Sequence, residues 1–248
     1  MQGKLDFIKT PYTTRPNMQR WAGAMYNRNP NPVYIEAKKQ ELNLLGNQLW
    51  SVTHESTINQ LVQKASRHCE LQETDSIVDL ALQIEEDIAI MHNGLLSAIC
   101  FCFPSSWVPA DRIGQSLTNI HKSVADGDML VKASDRLAST MADASQSSFR
   151  RWVWTISTSP ELSNHPSRKS QTIPQSLDDL YFRVETQTTE PLGDNVSSLF
   201  FVKVDVCPLK DVWNDNADSI IESINSMSES ILTYKNLHTV KQILNNCE

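Results

Sequence analysis

The stretch Leu180-Tyr-Phe-Arg-Val-Glu-Thr-Gln-Thr188 alternates between apolar and polar side chains, which is the pattern of a half-buried β-strand. Successive side chains of a strand point to opposite faces of its sheet. One face therefore carries Phe182, Val184 and Thr186. The opposite face carries Arg183, Glu185 and Gln187, and we expect these polar side chains to point into one shared space.

Three more segments predict strands of the same sheet. Ser198-Leu-Phe-Phe-Val-Lys-Val-Asp-Val206 follows along the chain, and Arg151-Trp-Val-Trp-Thr-Ile-Ser157 precedes it. Upstream, Asn93-Gly94 separates an isoleucine-rich run that starts at Gln83 from the apolar run between Leu95 and Phe103. Asn-Gly between two such runs favours the tight turn of a β-hairpin. The sheet is therefore predicted to be built from antiparallel pairs.

Apolar residues at helical spacing surround these strands. Residues 35–64 predict amphipathic helices, with Ser56 or Thr57 capping the second, and Asp75-Ser76 can cap a further short helix. Helices are also predicted over 109–117 and 128–141, and one long helix over 212–244. An antiparallel sheet flanked by helices, with a helical N-terminal layer and a long C-terminal helix, is an α+β fold.

The 248 residues are enough for one substantial core rather than two large domains. Residues 1–34 contain four prolines and no periodicity, and they predict an extended N-terminal arm. Residues 35–210 form the predicted main domain with its helical entry layer. Residues 211–248 are predicted to be a C-terminal helix packed on the same domain.

Composition and charge exclude several classes of protein. The formal net charge is -7 and the basic residues are dispersed, which argues against nucleic acid as a partner. The chain shows no apolar run long enough for a membrane span and no secretory signal pattern, so we expect a soluble, cytoplasmic protein that does not bind membranes. The five cysteines are scattered without metal-ligand spacing and predict reduced, mostly buried thiols. The six histidines contain no i, i+4 pair, and no glycine-rich phosphate loop occurs.

A series of short motifs between residues 80 and 210 resembles the haem-dependent oxidative N-demethylases in order and spacing. The motifs are Glu85-Glu-Asp-Ile-Ala-Ile-Met91, Cys102-Phe-Pro-Ser-Ser-Trp107, Ile113-Gly-Gln-Ser-Leu-Thr-Asn-Ile-His121, Arg151-Trp-Val-Trp-Thr-Ile156, His165-Pro166, Arg183-Val-Glu-Thr-Gln-Thr188 and Phe200-Phe-Val-Lys-Val-Asp-Val-Cys-Pro-Leu209. The chain departs from the family pattern at Val153, where asparagine is expected, and after His121, where two expected prolines are missing.

The resemblance implies a PAS-like fold, a b-type haem and activation of O2. It further implies removal of a methyl group from a small secondary amine such as dimethylamine, with release of formaldehyde. Electrons would come from a separate reductase that contains flavin and an iron-sulfur centre. Because the chain has no C-x-x-C-H motif, the haem would be bound non-covalently.

The resemblance also assigns candidate site residues. His121 is the predicted iron ligand and His165 the second choice, with Asp126 or Asp128 near enough to accept the other ring N–H of His121. Arg183 and Glu185 are the predicted catalytic pair, the arginine binding a propionate or polarising O2 and the carboxylate meeting an ammonium substrate. Trp154 is a candidate for stacking near the macrocycle. Without the resemblance, His121 is interpreted as a loop histidine, Arg183 and Glu185 as a solvated ion pair, and the tryptophans as core residues.

Two alternatives remain open at the level of sequence. The altered segment after His121 is compatible with another haem-dependent oxidation, such as N-oxidation or hydroxylation in a biosynthetic pathway. A PAS-like haem sensor or interaction domain without catalysis is the second alternative, since a fold does not fix a function.

Overall fold

A computed structural model of the chain describes residues 3–54, 56–168 and 173–246. At its centre lies a sheet of seven strands, all of whose neighbouring pairs are antiparallel. The strands are β1 (Gln19–Trp21), β2 (Trp50–Val52), β3 (Asp87–His92), β4 (Leu95–Cys100), β5 (Ser148–Ser157), β6 (Tyr181–Pro191) and β7 (Ser197–Pro208). Their order across the sheet is β1-β5-β6-β7-β3-β4-β2. The predicted mixture of helices with an antiparallel sheet is confirmed.

Eight α-helices accompany the sheet within the described residues. They are α1 (Pro32–Leu45), α2 (Ile58–His68), α3 (Ile77–Ala81), α4 (Leu117–His121), α5 (Asp128–Ala142), α6 (Lys210–Asn225), α7 (Glu229–Lys235) and α8 (His238–Asn245). The predicted cap of α3 is confirmed, because the Ser76 side chain accepts a hydrogen bond from the backbone N–H of Asp79. The predicted helix over 109–117 is instead a short 3-10 helix, Pro109–Arg112, followed by α4.

The predicted hairpin is present as β3 and β4. Asn93 and Gly94 both have positive φ, at 50° and 77°, which a two-residue turn of this type requires and which asparagine and glycine adopt most readily. The main-chain register then pairs Ile88 with Cys100 and Ile90 with Ala98. Within the sheet, β3 of this hairpin pairs with β7, and residues of both β3 and β4 belong to the larger core cluster.

The two faces of β5 and β6 differ in composition. Strand register places Arg151 opposite Gln187 and Trp154 opposite Val184, so the predicted alternation in β6 is confirmed. The apolar face packs against the C-terminal helices in a second core cluster. We call the opposite face, with Arg151, Glu185 and Gln187, the cleft face. Helix α5 contacts both β6 and β7, and α4 packs on α5.

The prediction of one long C-terminal helix is wrong. Helix α6 ends at Asn225, and the Ser228 side chain caps α7 by accepting from the backbone N–H of Ile231. Helix α7 in turn ends at Asn236, whose left-handed backbone conformation (φ 55°) stops the helix before α8 begins. The apolar spacing continues across these breaks, so the spacing alone predicts one helix.

The described part of the N-terminal arm is irregular except for the first turn of α1, which begins at Pro32, and for β1, a short strand that the sequence did not indicate. Polar groups of α6 and of the turn after it hold the arm in place. Asn216 Oδ1 accepts from the backbone N–H of Leu5 at 2.7 Å, and Ser226 Oγ accepts from that of Tyr12 at 2.8 Å. The arm thereby brings Tyr12 to the edge of β5, where its ring packs edge-on against Trp154.

In the parts of the chain that the structure describes, none of the helices combines the length and the apolar composition needed to cross a bilayer. Cys69, Cys100 and Cys102 are buried free thiols, as predicted, while Cys207 is half-buried. Cys247 lies outside the described residues.

Candidate functional site

A chain of hydrogen bonds runs along the cleft face from β5 to the loops beyond β6. Arg151 Nε donates to Gln187 Oε1 at 2.7 Å, and Gln187 Nε2 donates to Glu185 Oε2 at 2.7 Å. The other oxygen of Glu185 accepts from the Ser105 hydroxyl. Ser105 Oγ accepts in turn from Arg183 Nε at 3.1 Å. The structure therefore brings the predicted pair Arg183 and Glu185 into one network, joined through Ser105.

Arg183 is only 1% exposed and is held by backbone carbonyls. Its Nη2 donates to the carbonyl of Phe103 at 2.9 Å, and its Nη1 donates to that of Leu162. Burial lowers the pKa of its guanidinium, and the carboxylates of Glu185 and Asp87 oppose that change. In this geometry Arg183 joins two loops and positions Ser105. Arg183 is linked to Glu185 through Ser105 and is itself buried.

Arg151, the other arginine of the cleft face, is less buried than Arg183. It is half-buried, and only its Nε is used, because among the described residues no acceptor bonds either terminal nitrogen. Burial lowers the pKa of its guanidinium, while Glu185 and Tyr12 raise it. The sequence alone did not indicate Arg151 as a site residue, although the alternation of β5 predicts that it lies on the other face of the sheet from Trp152 and Trp154.

His121, at the end of α4, approaches this face. Burial and the positive charge of Arg151 lower the pKa of His121 to about 4, so the imidazole is neutral at pH 7. Its Nδ1 lies 2.8 Å from Ser134 Oγ on α5, and the Ser134 hydroxyl donates to the carbonyl of Leu130 at 2.8 Å. A hydroxyl has one proton, so both bonds can form only if His121 Nδ1 carries the proton and donates it. The proton of the neutral ring is therefore on Nδ1, and Nε2 keeps its lone pair.

This partner differs from the predicted one. Asp126 does not bond His121, since its carboxylate accepts from Ser228 and Ser230 and so ties the α4–α5 connection to α7. Ser134 lies on the second turn of α5, which packs beside α4. Among the described residues none provides a hydrogen-bond partner for His121 Nε2, and this nitrogen is the available ligand atom.

His165 has the opposite arrangement. It is 0% exposed, and its Nδ1 accepts a hydrogen bond from the backbone N–H of Ser167 at 3.2 Å. Burial lowers its pKa, an effect that Asp111 opposes, so this ring is also neutral near pH 7. Its proton must then lie on Nε2, which is buried and without a partner among the described residues. His165 Nε2–H is thus a buried donor without an acceptor among the described residues. In this conformation the ring offers no free lone pair to a metal.

Trp154 lies on the other side of the sheet. Its ring stacks on Phe182 with centroids 5.8 Å apart and belongs to the core cluster of the C-terminal helices. The structure therefore does not bring Trp154 to the cleft face with Arg151 and Glu185. Its side chain is 5% exposed and serves the core.

Two residues far apart in sequence complete the edge of the site. Tyr12, from the arm, has its pKa raised to about 12 by burial, against the effect of Arg151. Lys235, from α7, donates to the carbonyl of Trp154 at 3.1 Å, and burial lowers its pKa to about 8 in spite of Glu185. Both side chains are half-buried and lie beside Trp154 on β5, close enough to the cleft face for Arg151 and Glu185 to influence their pKa values. No local sequence signal marks either of them.

The acidic run Glu85 to Asp87 is structural. Glu85 accepts from the backbone N–H of Asn31 at 2.6 Å and pairs with Lys203 at 2.9 Å. Asp87 is fully buried and accepts from the backbone N–H groups of Cys102 and Phe103. These carboxylates anchor the arm and the end of β4.

The described residues contain no group of three His, Cys, Asp or Glu side chains placed to hold a metal ion. A haem iron needs only an axial protein ligand, and His121 meets the chemical requirements for it: a neutral ring, a free Nε2 and a fixed Nδ1–H. A family model described as haem-dependent oxidative N-demethylase, alpha subunit-like, matches residues 36–245. No curated protein matches the chain.

Proposed function

Because the chain belongs to the haem-dependent oxidative N-demethylase, alpha subunit-like family, we propose that it binds haem b and oxidatively demethylates a small secondary amine. The observation that carries this proposal is the state of His121. Its hydrogen bond to Ser134 leaves the Nε2 lone pair available, and burial together with the charge of Arg151 keeps the ring neutral, as an axial ligand of an O2-handling haem requires.

The proposed demethylation consumes one O2, two electrons and two protons for each methyl group. One atom of O2 enters a C–H bond of the N-methyl group, and the other becomes water with two electrons and two protons. The N-hydroxymethyl product then collapses to the demethylated amine and formaldehyde. When bound, the haem would supply the activation of O2, and a separate reductase would supply the electrons.

The residues of the chain would bind and orient. Glu185 is the candidate for the ammonium group, because each of its oxygens accepts one hydrogen bond and keeps a free lone pair. Arg183 is a positioning residue in this proposal, since it orients Ser105 and thereby Glu185. Arg151, with its unbonded terminal nitrogens, is the candidate for an anionic group such as a propionate.

The PAS-like character of the sheet and the location of the protein in the cytoplasm belong to the same proposal. So does the reductase partner, because the balance of the reaction needs two electrons that the chain itself does not provide. His165, with a buried N–H that lacks an acceptor, is proposed to contact the cofactor as a donor rather than as an iron ligand.

The test is a spectrum followed by a product assay. The protein would be purified from cells supplied with a haem precursor, and a Soret band is expected in the wild type. With O2, a flavin and iron-sulfur reductase and dimethylamine, we expect one formaldehyde for each amine demethylated. Full haem loading and reduction without formaldehyde from any small methylamine would contradict demethylation and favour a different haem-dependent oxidation. Absence of haem binding would contradict the whole proposal.

A further inference from the structure

Lys235 is a half-buried amine at one edge of the sheet. Strand β5 pairs with β1 only over residues 148–150, so the outer side of the rest of β5 has no neighbouring strand among the described residues. Lys235, the last residue of α7, lies at this edge, where its Nζ donates a hydrogen bond to the carbonyl of Trp154 at 3.1 Å. The ring of Tyr12 is also near, with its centroid 5.7 Å from Nζ. The amine therefore has a defined position between β5 and the N-terminal arm.

The amine of Lys235 has no partner of opposite charge. Within the described part of the chain it takes part in no ion pair, and its hydrogen-bond acceptor is an uncharged carbonyl. Burial lowers the pKa of Lys235 to about 8, and the carboxylate of Glu185, which does not contact it, opposes the change. An ordinary lysine, with a pKa of about 10.4, is almost entirely an ammonium near neutral pH. Lys235 is therefore expected to contain far more of the neutral amine.

Lys203 shows what counter-charges do to a lysine in similar surroundings. It is also half-buried and also lies over a tyrosine ring, with Nζ 3.9 Å from the centroid of Tyr34. Unlike Lys235, it pairs with Glu85 at 2.9 Å and with Asp205 at 3.1 Å. Burial lowers the pKa of Lys203, but Asp205 and then Glu85 outweigh that effect and raise the pKa above its ordinary value. The two lysines thus differ in their ion pairs, and only Lys235 favours the neutral amine.

The neutral form of Lys235 can keep its position and gain a free lone pair. A neutral amine still has two N–H groups, so one of them can continue to donate to the carbonyl of Trp154. Among the described residues no donor bonds Nζ, so nothing occupies the lone pair. A lysine amine that burial has deprived of its charge is the group that forms Schiff bases with carbonyl compounds in proteins. The geometry therefore suits a nucleophile.

We propose that Lys235 is a nucleophilic amine that reacts reversibly with small aldehydes. The Nζ lone pair attacks the carbonyl carbon, a C–N bond forms, and the oxygen takes up a proton, which gives a carbinolamine. Loss of water then breaks the C–O bond and leaves a Schiff base, so no electrons are gained or lost. Formaldehyde as the natural ligand rests on the proposed function, in which it forms near Glu185. The reactivity of Lys235 itself does not rest on that function.

The test is reductive methylation of the full-length protein as purified, with limiting formaldehyde and with cyanoborohydride as the hydride donor. The hydride reduces the Schiff base to an N-methylamine, which mass spectrometry of peptides locates. From initial rates near neutral pH, we expect Lys235 to be methylated about tenfold faster than exposed lysines such as Lys39 and Lys132. Lys203 should react more slowly than these exposed lysines, because its ammonium is paired with two carboxylates.

The pH dependence of the rate separates a lowered pKa from simple accessibility. The rate at Lys235 should level off above about pH 8, whereas the rate at the exposed lysines should still rise at about pH 9. Lys235→Arg keeps the charge and should remove the fast phase without altering the rates at Lys39 and Lys132. Methylation of Lys235 no faster than the exposed lysines, or a rate that rises in parallel with theirs, would overturn the proposal.

The size of the aldehyde provides a further control. Benzaldehyde should show little preference for Lys235, because β5 and the ring of Tyr12 leave the amine only half exposed. An equal preference for benzaldehyde would contradict the restriction to small aldehydes. Because the aldehyde is added rather than formed by the protein, the test needs neither haem nor demethylation. Its failure can therefore be told apart from a failure of the proposed function.

Discussion

The segment around His121 and the segment around His165 hold two neutral imidazoles in opposite states. Burial lowers the pKa of both rings. Ser134 accepts a hydrogen bond from Nδ1 of His121, whereas the backbone N–H of Ser167 donates one to Nδ1 of His165. The first ring therefore exposes a lone pair at Nε2, and the second presents an N–H there.

We expect the neighbour of Nδ1, rather than the histidine itself, to select the haem ligand. Either residue qualifies by sequence, since both lie in motifs that resemble those of the family. A helix side chain supplies an acceptor in one case, and a turn of the backbone supplies a donor in the other. Three predictions test this difference, two through haem binding and one through the stability of the fold.

Replacing the two histidines separately should give the largest effect. His121→Ala is expected to lower haem affinity about 100-fold or more, because the iron loses its axial protein ligand. His165→Ala should stay within about threefold, since only a donor is lost. Titration of each purified protein with haemin, followed at the Soret band, measures both values. The reverse ranking would mean that His165 rearranges on binding and is the ligand.

Acid should weaken the fold by a smaller amount. The pKa of His121 is about 4 in the folded state and about 6.5 in an unfolded chain. Between these values the unfolded chain binds a proton that the folded protein does not, so the free energy of unfolding falls as the pH drops from about 6.5 to about 4. Above 6.5 the contribution is fully present. The ceiling is about 3 kcal/mol, and partial exposure of the ring reduces the expected loss to about 2 kcal/mol.

Urea unfolding of wild type and His121→Asn at pH 7 and at pH 4.5 isolates this contribution. Other groups titrate in both proteins, including Asp87, whose pKa burial raises to about 6. They cancel in the difference between the two proteins. The wild type should lose about 2 kcal/mol more than the variant. Parallel losses would show that the His121 ring is already accessible to protons in the folded protein.

Much of the sheet could be predicted from sequence because its signals are local. Asn93-Gly94 defines one hairpin, and the alternation in β6 fixes which side chains share a face. The prediction of one long C-terminal helix was wrong because it depended on apolar spacing alone. Apolar spacing reports burial, and it persists across the caps at Ser228 and Asn236 that end the helices.

The site was harder to predict because its contacts are long-range. Ser134 was not identified as the partner of His121, since polar residues of α5 look alike until α4 packs beside it. Tyr12 and Lys235 come from segments near the two ends of the chain and meet at Trp154, where Arg151 and Glu185 influence their pKa values. The roles of Arg183 and Glu185 remain predictions, although the structure does place both in one network.

Removing the hydrogen bond between His121 Nδ1 and Ser134 Oγ should have the smallest effect on haem affinity. It is also the most direct test of whether this bond selects the ligand. Ser134→Ala leaves His121 Nδ1 without its acceptor, so the ring can turn or move its proton to Nε2. Loss of such a partner typically costs about tenfold in metal affinity. We therefore expect haem affinity to fall about tenfold in Ser134→Ala and to recover largely in Ser134→Thr, which keeps the hydroxyl.

Long-range ¹H-¹⁵N correlation spectra of the haem-free protein separate this effect from simple loss of packing. Wild-type His121 should show the Nδ1–H tautomer and His165 the Nε2–H tautomer, and only the first should change in Ser134→Ala. An Nε2–H signal for His121 in the wild type would contradict the assignment of the hydrogen bond. Weaker haem binding with an unchanged tautomer would mean that Ser134 acts through the packing of α4 on α5, and that the difference between the two histidines does not depend on the proton.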